Sequence, residues 1–286
     1  MKTTKTLWIA ISLIAINALL KAQDTFKPPI YPNAQINPCG VYDKHVGDRR
    51  AINYTSLRES DVAWEKRVWR DIDMREKQNQ PLYYPIEHNA CRSSLFQTIT
   101  RQILNENIIA FKDEEFLVPY NLAEFKKRIV KIDTVEQFIY TENGEEQSVM
   151  VPIYDSTSIY ERILKFRLKE DWYFDRQKSS LEVRIIGIAA FEYNAERDYF
   201  KEVFWVYFPS CRPYFARNDV YNFKNDAERR SLDDIFWKRQ FSSLIVKESN
   251  VQDRYIDQYE KGIDALVEAD KIKMGIFTWE HDLWNY

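Results

Sequence analysis

The apolar run from Leu7 to Leu20 (LWIAISLIAINALL) constrains this chain more than any other segment. Lys2 and Lys5 precede it, and the small residue Ala22 follows it, ahead of a polar stretch that begins at Gln23. A bilayer-spanning helix needs roughly 20 apolar residues. This run is shorter, so residues 1–22 read as a cleavable signal peptide cut after Ala22. The first cysteine is Cys39, well beyond that cut, so no lipid anchor is expected. No other segment is apolar enough to cross a bilayer, and the mature chain is expected to fold in water without direct membrane insertion.

Export sets terms for everything downstream. Losing Lys2, Lys5 and Lys21 moves the formal net charge from −3 to −6. That acidity argues against a nucleic-acid partner, which would call for a basic stripe to neutralise phosphates. Cys39, Cys91 and Cys211 all lie in the exported part, where disulfides form. An odd number leaves at least one thiol free or bonded to another chain, and the pairing stays open.

Residues 23–58 carry Pro28, Pro29, Pro32 and Pro38 with no apolar periodicity, so they read as an extended arm. Its isolated apolar residues, Phe26, Ile30, Tyr31 and Ile36, are candidate anchors on the arm's own domain or on a neighbouring chain. Residues 59–286 read as one mixed α+β domain, with an antiparallel β-hairpin region, flanking helices and a long C-terminal helix. Trp64, Val68 and Ile72, four apart with Trp69 beside them, predict a helix from Ser60 to Asn79. Leu95, Ile99 and Ile103 predict a second over 89–105. Short strands over 108–111 and 116–118 precede a small helix from Asn121, with Glu124 at capping-box spacing. Asn143-Gly144 marks a hairpin between strands 135–140 and 148–154.

A helix over 155–166 is expected on Ile159, Ile163 and Phe166, then strands over 181–190 and 200–208. Asn225 and Glu228 are read as the cap of a helix carrying Leu232, Ile235 and Phe236. The last helix is expected from Asn250 to Met274, opened by Ser249 with Gln252 and stopped by Gly275. Its stripe would be Val251, Tyr255, Tyr259, Ile263, Leu266 and Ile272.

Chemistry is harder to find. His45, His88 and His281 are not at ligand spacing with another His or a Cys, so no metal site is predicted. Neither a Gly-rich phosphate loop nor a Gly-x-Ser-x-Gly elbow occurs, and no cofactor is expected. Cys91 reads as packing rather than as a nucleophile. Asp233-Asp234, Glu268 with Asp270, and Glu280 with Asp282 are the carboxylate pairs that a glycan hydrolase would use, although helical carboxylates in an acidic chain are ordinarily a solvated face. Trp205 and Trp237 read as core. Trp279, Trp284 and Tyr286, beyond the expected helix stop, read as a protein contact or as a clamp on their own domain.

Several blocks resemble the GldN/PorN family of the type IX secretion and gliding motility machinery of Bacteroidota. They include Arg67-Val68-Trp69-Arg70, Asn79-Gln80-Pro81-Leu82-Tyr83-Tyr84-Pro85, Trp205-Val206-Tyr207-Phe208-Pro209, Lys247-Glu248-Ser249-Asn250-Val251 and Gly262-Ile263-Asp264-Ala265-Leu266. Glu280-His281-Asp282-Leu283-Trp284 continues the likeness, which covers the chain from about residue 60 and matches the arm least. The resemblance implies a periplasmic, non-catalytic subunit that forms rings under the outer membrane with a GldK/PorK-like lipoprotein. It also implies contact with the periplasmic part of a GldM/PorM-like motor subunit. The rival readings are an envelope glycan hydrolase and a periplasmic small-ligand binding module.

Overall fold

A computed structural model of the chain describes residue 39 and residues 48–87, 89, 91–129, 131–140, 146–155, 157–195, 197–225 and 227–283, the backbone alone for 131–158 and 283. The signal-peptide reading, Phe26, Ile30, Tyr31, Ile36, His45, His88, the Asn143-Gly144 turn, Trp284 and Tyr286 lie outside the described residues. By internal contacts the chain divides into Met1–Lys44 and His45–Tyr286, and the second unit carries the fold.

That unit opens with strand β1 (Val62–Asp73) and the one-turn helix α1 (Gln80–Tyr83). Helix α2 (Leu95–Leu104), strand β2 (Ala110–Phe111) and helix α3 (Leu122–Ile129) follow. Strands β3 (Lys131–Tyr140) and β4 (Glu146–Asp155) come next, then helix α4 (Thr157–Arg162). The long strands β5 (Ile163–Asp175), β6 (Ser180–Asn194) and β7 (Tyr199–Tyr207) lead into helix α5 (Phe208–Phe215). Strands β8 (Asp219–Val220) and β9 (Arg230–Ser231), helix α6 (Leu232–Trp237), strand β10 (Leu244–Glu248) and helix α7 (Ile263–Leu283) complete it.

One antiparallel sheet of six strands, in the order β10-β1-β5-β6-β7-β2, organises these elements. The strands β3 and β4 form a separate ribbon, paired from Lys131↔Asp155 to Tyr140↔Glu146 as Asn143-Gly144 led one to expect. The fold class is thus the mixed α+β arrangement read from the sequence, with its long C-terminal helix.

The two faces of the sheet differ. Ile72, Phe166, Leu168, Ile188, Ala190, Phe204 and Val206 form one apolar face, closed by buried residues of α2, α3, α5 and α6. Burying such side chains, at about 1.5–3 kcal/mol each, is the main source of stability. A second cluster joins Val68, Trp172 and Ile245 to Ala269, Ile272 and Ile276 of α7.

The other face carries charge in register. Arg67 stands opposite Asp171 and forks onto it at 2.6 and 2.7 Å. Asp71, four residues on and on the same face, receives the Arg167 fork at 2.6 and 2.9 Å. Between them Trp69 is flanked by Lys169 and Lys247, its register partners on either side. Both lysines are buried, and the loop 112–119 and Asp253 supply their partners. Lys169 Nζ meets Glu115 at 2.8 Å and donates to the Glu114 carbonyl, while Lys247 Nζ meets Asp253 at 2.6 Å.

Several expected elements are corrected. The segment with Trp64, Val68 and Ile72 is strand β1, not a helix, because a four-residue spacing repeats on one side of a strand as well as of a helix. Likewise Ile163 and Phe166 belong to β5, and helix α4 ends at Arg162. Residues 116–118 form no strand; Phe111 makes an isolated bridge to Pro119 instead. Asn121 does cap α3, accepting from the Ala123 amide, but Glu124 pairs with Lys112. Helix α2 starts at Leu95, behind the Ser94–Gln97 capping box. Helix α6 is capped by Ser231 with Asp234, not by Asn225. Asn250 closes a loop by bonding Glu248 and Arg254, so the last helix starts only at Ile263 and runs through Gly275. Its buried residues are Ala269, Ile272 and Ile276, whereas Ile263 is 77% and Leu266 49% exposed.

Candidate functional site

Strand β7 pairs with β6 only from Gly187 onward, so the first part of β6 has no strand on that edge among the described residues. Residues 52–55 cross there as a strap held by side chains. Arg184 donates to the Thr55 carbonyl and Lys178 Nζ to the Thr55 hydroxyl at 2.9 Å. The Tyr54 ring stacks on Trp237 at 5.8 Å, with the Arg212 guanidinium 4.3 Å from its centroid. Strap, strand edge and two helices enclose a half-open cavity of about 410 Å³.

Local sequence explains the far wall. Pro209 suits the first turn of α5, where a missing amide donor costs nothing, and Arg212 follows one turn later. The capping box of α6 sets Asp233 against Arg212, which forks onto it at 2.9 and 3.1 Å. Burial pushes the Asp233 carboxyl above its ordinary range, against the pull of that guanidinium. Arg239, just past α6, turns back to the fully buried Glu170 at 2.9 and 3.1 Å. Glu170 also faces Arg70 at 3.1 Å and accepts from the Trp172 indole at 3.2 Å. On the near side Tyr173 donates to Glu182 at 2.8 Å, and burial together with that carboxylate pushes its phenol up to about 12.

Three of the cavity's cations therefore have carboxylate partners: Lys178 with Glu182, Arg212 with Asp233, and Arg239 with Glu170. Arg184 has none among the described residues, and its Nε is buried without an acceptor. A charged residue inside the otherwise apolar strand sequence Val183-Arg184-Ile185-Ile186 was the signal that could have pointed here.

The carboxylate pairs read from the sequence are not built as acid and base. Asp233 is tied to Arg212, and Asp234 accepts from the Ser231 amide and hydroxyl. Glu268 binds Lys271, and its partner Asp270 sits two residues away on α7, which turns it to a different side. The same spacing separates Glu280 from Asp282. Among the described residues no group of three or more His, Cys, Asp or Glu residues is placed to hold a metal. Cys39 and Cys91 are each disulfide-bonded, while Cys211 is a buried free thiol whose pKa burial raises.

Of the candidate contact residues, Trp279 is described, and its indole stacks on Trp64 at 4.6 Å with Phe174 edge-on. Trp205 is buried as expected, but Trp237 is 46% exposed, its ring serving the strap rather than the core. A further aromatic groove, of about 360 Å³, lies between Pro81, Tyr84, Pro85, Tyr221 and Phe223. On α7 an apolar stripe of Ile263, Leu266, Val267, Met274 and Phe277 faces solvent. No helix among the described residues is long and apolar enough to cross a membrane.

No curated protein matches the chain. A family model described as "Gliding motility associated protein GldN" matches residues 57–285, nearly all of the folded unit that carries the sheet and α7. The chain belongs to the GldN family of gliding-motility-associated proteins.

Proposed function

We propose that this chain is a non-catalytic structural subunit of the gliding motility and type IX secretion machine, working in the periplasm. In this reading it forms rings beneath the outer membrane with a GldK/PorK-like lipoprotein, and it couples them to the periplasmic part of a GldM/PorM-like motor subunit. The family match over residues 57–285 carries the reading. Two features of the fold support it. The carboxylates that a hydrolase would need are engaged in ion pairs or caps, or stand on different sides of α7. The solvent-facing apolar stripe of α7 is also the kind of surface that an assembling protein keeps for a neighbour.

Co-expression with the lipoprotein, followed by purification and electron microscopy, tests it. A stable complex that forms rings is the expected result. A monomer without affinity for the lipoprotein would reject the reading and return attention to a ligand-binding role.

A further inference from the structure

The cavity beneath the strap has the composition of a binding site rather than of a packing defect. At about 410 Å³ it falls within the range of small-ligand pockets. Apolar walls from Phe208, Phe236 and Trp237 meet a polar side formed by Tyr54, Tyr173 and Arg184. Its charge is also unbalanced. Three of its cations hold carboxylates of this chain, and the fourth, Arg184, has no carboxylate partner among the described residues and donates to a backbone carbonyl of the strap.

Arg184 is oriented for a ligand. Its guanidinium lies 5.1 Å from the Tyr54 centroid and 5.3 Å from that of Tyr173, so rings flank the cation. Its Nε donor is buried with no acceptor among the described residues, a state that costs free energy when it stays unmet. The planar fork of arginine matches a carboxylate with two parallel hydrogen bonds. The phenols of Tyr54 and Tyr173 both have raised pKa values, Tyr54 chiefly by burial, so both stay neutral and do not compete as anions.

We propose that this cavity binds a carboxylate carried on an apolar body, with Arg184 as its anchor, the Tyr54 ring beside that cation, and Phe208, Phe236 and Trp237 as the apolar walls. The carboxylate comes either from a free small molecule or from an acidic side chain flanked by apolar residues in a peptide. The site stands independently of the assembly role proposed above.

Calorimetric titration of the purified protein with three probes tests the assignment. N-acetylphenylalanine offers a free carboxylate beside a benzyl group, and N-acetylphenylalaninamide is the same body without the charge. The capped peptide acetyl-Phe-Glu-Phe-amide offers a side-chain carboxylate. At least one carboxylate probe should bind while the amide does not, and which one binds identifies the source. Arg184→Gln should weaken that binding about tenfold or more, the loss expected for a charge-assisted hydrogen bond. Tyr54→Leu, on the strap and outside the sheet, should weaken it as well and guards against a folding defect in the strand variant. Failure of both carboxylate probes to bind, equal binding of the amide, or unchanged binding in both variants would overturn the proposal.

Discussion

Gly187 and Phe116 occupy each other's space: a Cβ built on Gly187 would lie 2.6 Å from the Phe116 Cζ. The Phe116 backbone holds a φ of 59°, and its ring packs edge-on against Phe111, Trp205 and Tyr207. The loop over the charged face of the sheet therefore reaches its seat because position 187 has no side chain. Gly187→Ala should destabilise the protein by about 1–3 kcal/mol in chemical denaturation. In a Phe116→Ala background the same change should cost much less, since the two residues are in direct contact. Equal costs in both backgrounds would show that the clash does not govern this site.

Glu170 is fully buried between Arg70 and Arg239, with the Trp172 indole as a further donor. Neutralising it leaves two guanidinium groups facing each other in a low-dielectric site. Glu170→Gln should therefore lower stability by about 3–5 kcal/mol. A loss below about 1 kcal/mol would mean that water reaches the cluster freely.

Trp279 reports on whether the end of α7 is part of the fold. It stacks on Trp64 and meets Phe174 edge-on, so Trp279→Ala should cost about 1–3 kcal/mol. An unchanged melting temperature would instead place this ring among the surface contacts.

The Asp113 carboxylate accepts from the Leu117 amide at 2.9 Å and from the Val118 amide at 2.7 Å. These bonds, chiefly that from Leu117, hold its pKa below the ordinary 3.8. A depressed carboxylate adds stability that is fully present above its unfolded value and is lost as pH falls through the folded one. Protection of the Leu117 and Val118 amides against hydrogen exchange should thus persist at pH 6 and fall below about pH 3.8. Asp113→Asn should reduce that protection and remove its acid dependence.

How far the sequence disclosed this fold depended on the range of the interactions involved. The ribbon of β3 and β4 was legible because Asn143-Gly144 lies between its two strands in the sequence. Strand β1 was not, since Arg67 and Asp71 resemble a solvated helix face until their partners Asp171 and Arg167, 104 and 96 residues away, are known. The end of the last helix was missed for a different reason. Gly275 has nothing within 4 Å of where a Cβ would be, so the residue neither stops the helix nor serves a close contact. As for the candidate site, Phe208 of its wall lay in a recognisable block, but the isolation of Arg184 from any carboxylate among the described residues is a property of packing alone.

The charged rungs on the second face have a mechanical consequence. Arg67–Asp171 and Asp71–Arg167 lie straight across β1 and β5, with Trp69 and its two lysines between them. Sliding β1 by one residue against its neighbours would turn each of these charges toward the apolar side and each apolar residue toward the charges. A pull directed along the strands would have to part all the forks together, whereas a pull across them could open one at a time. The sheet is thus built to resist shear more than peeling.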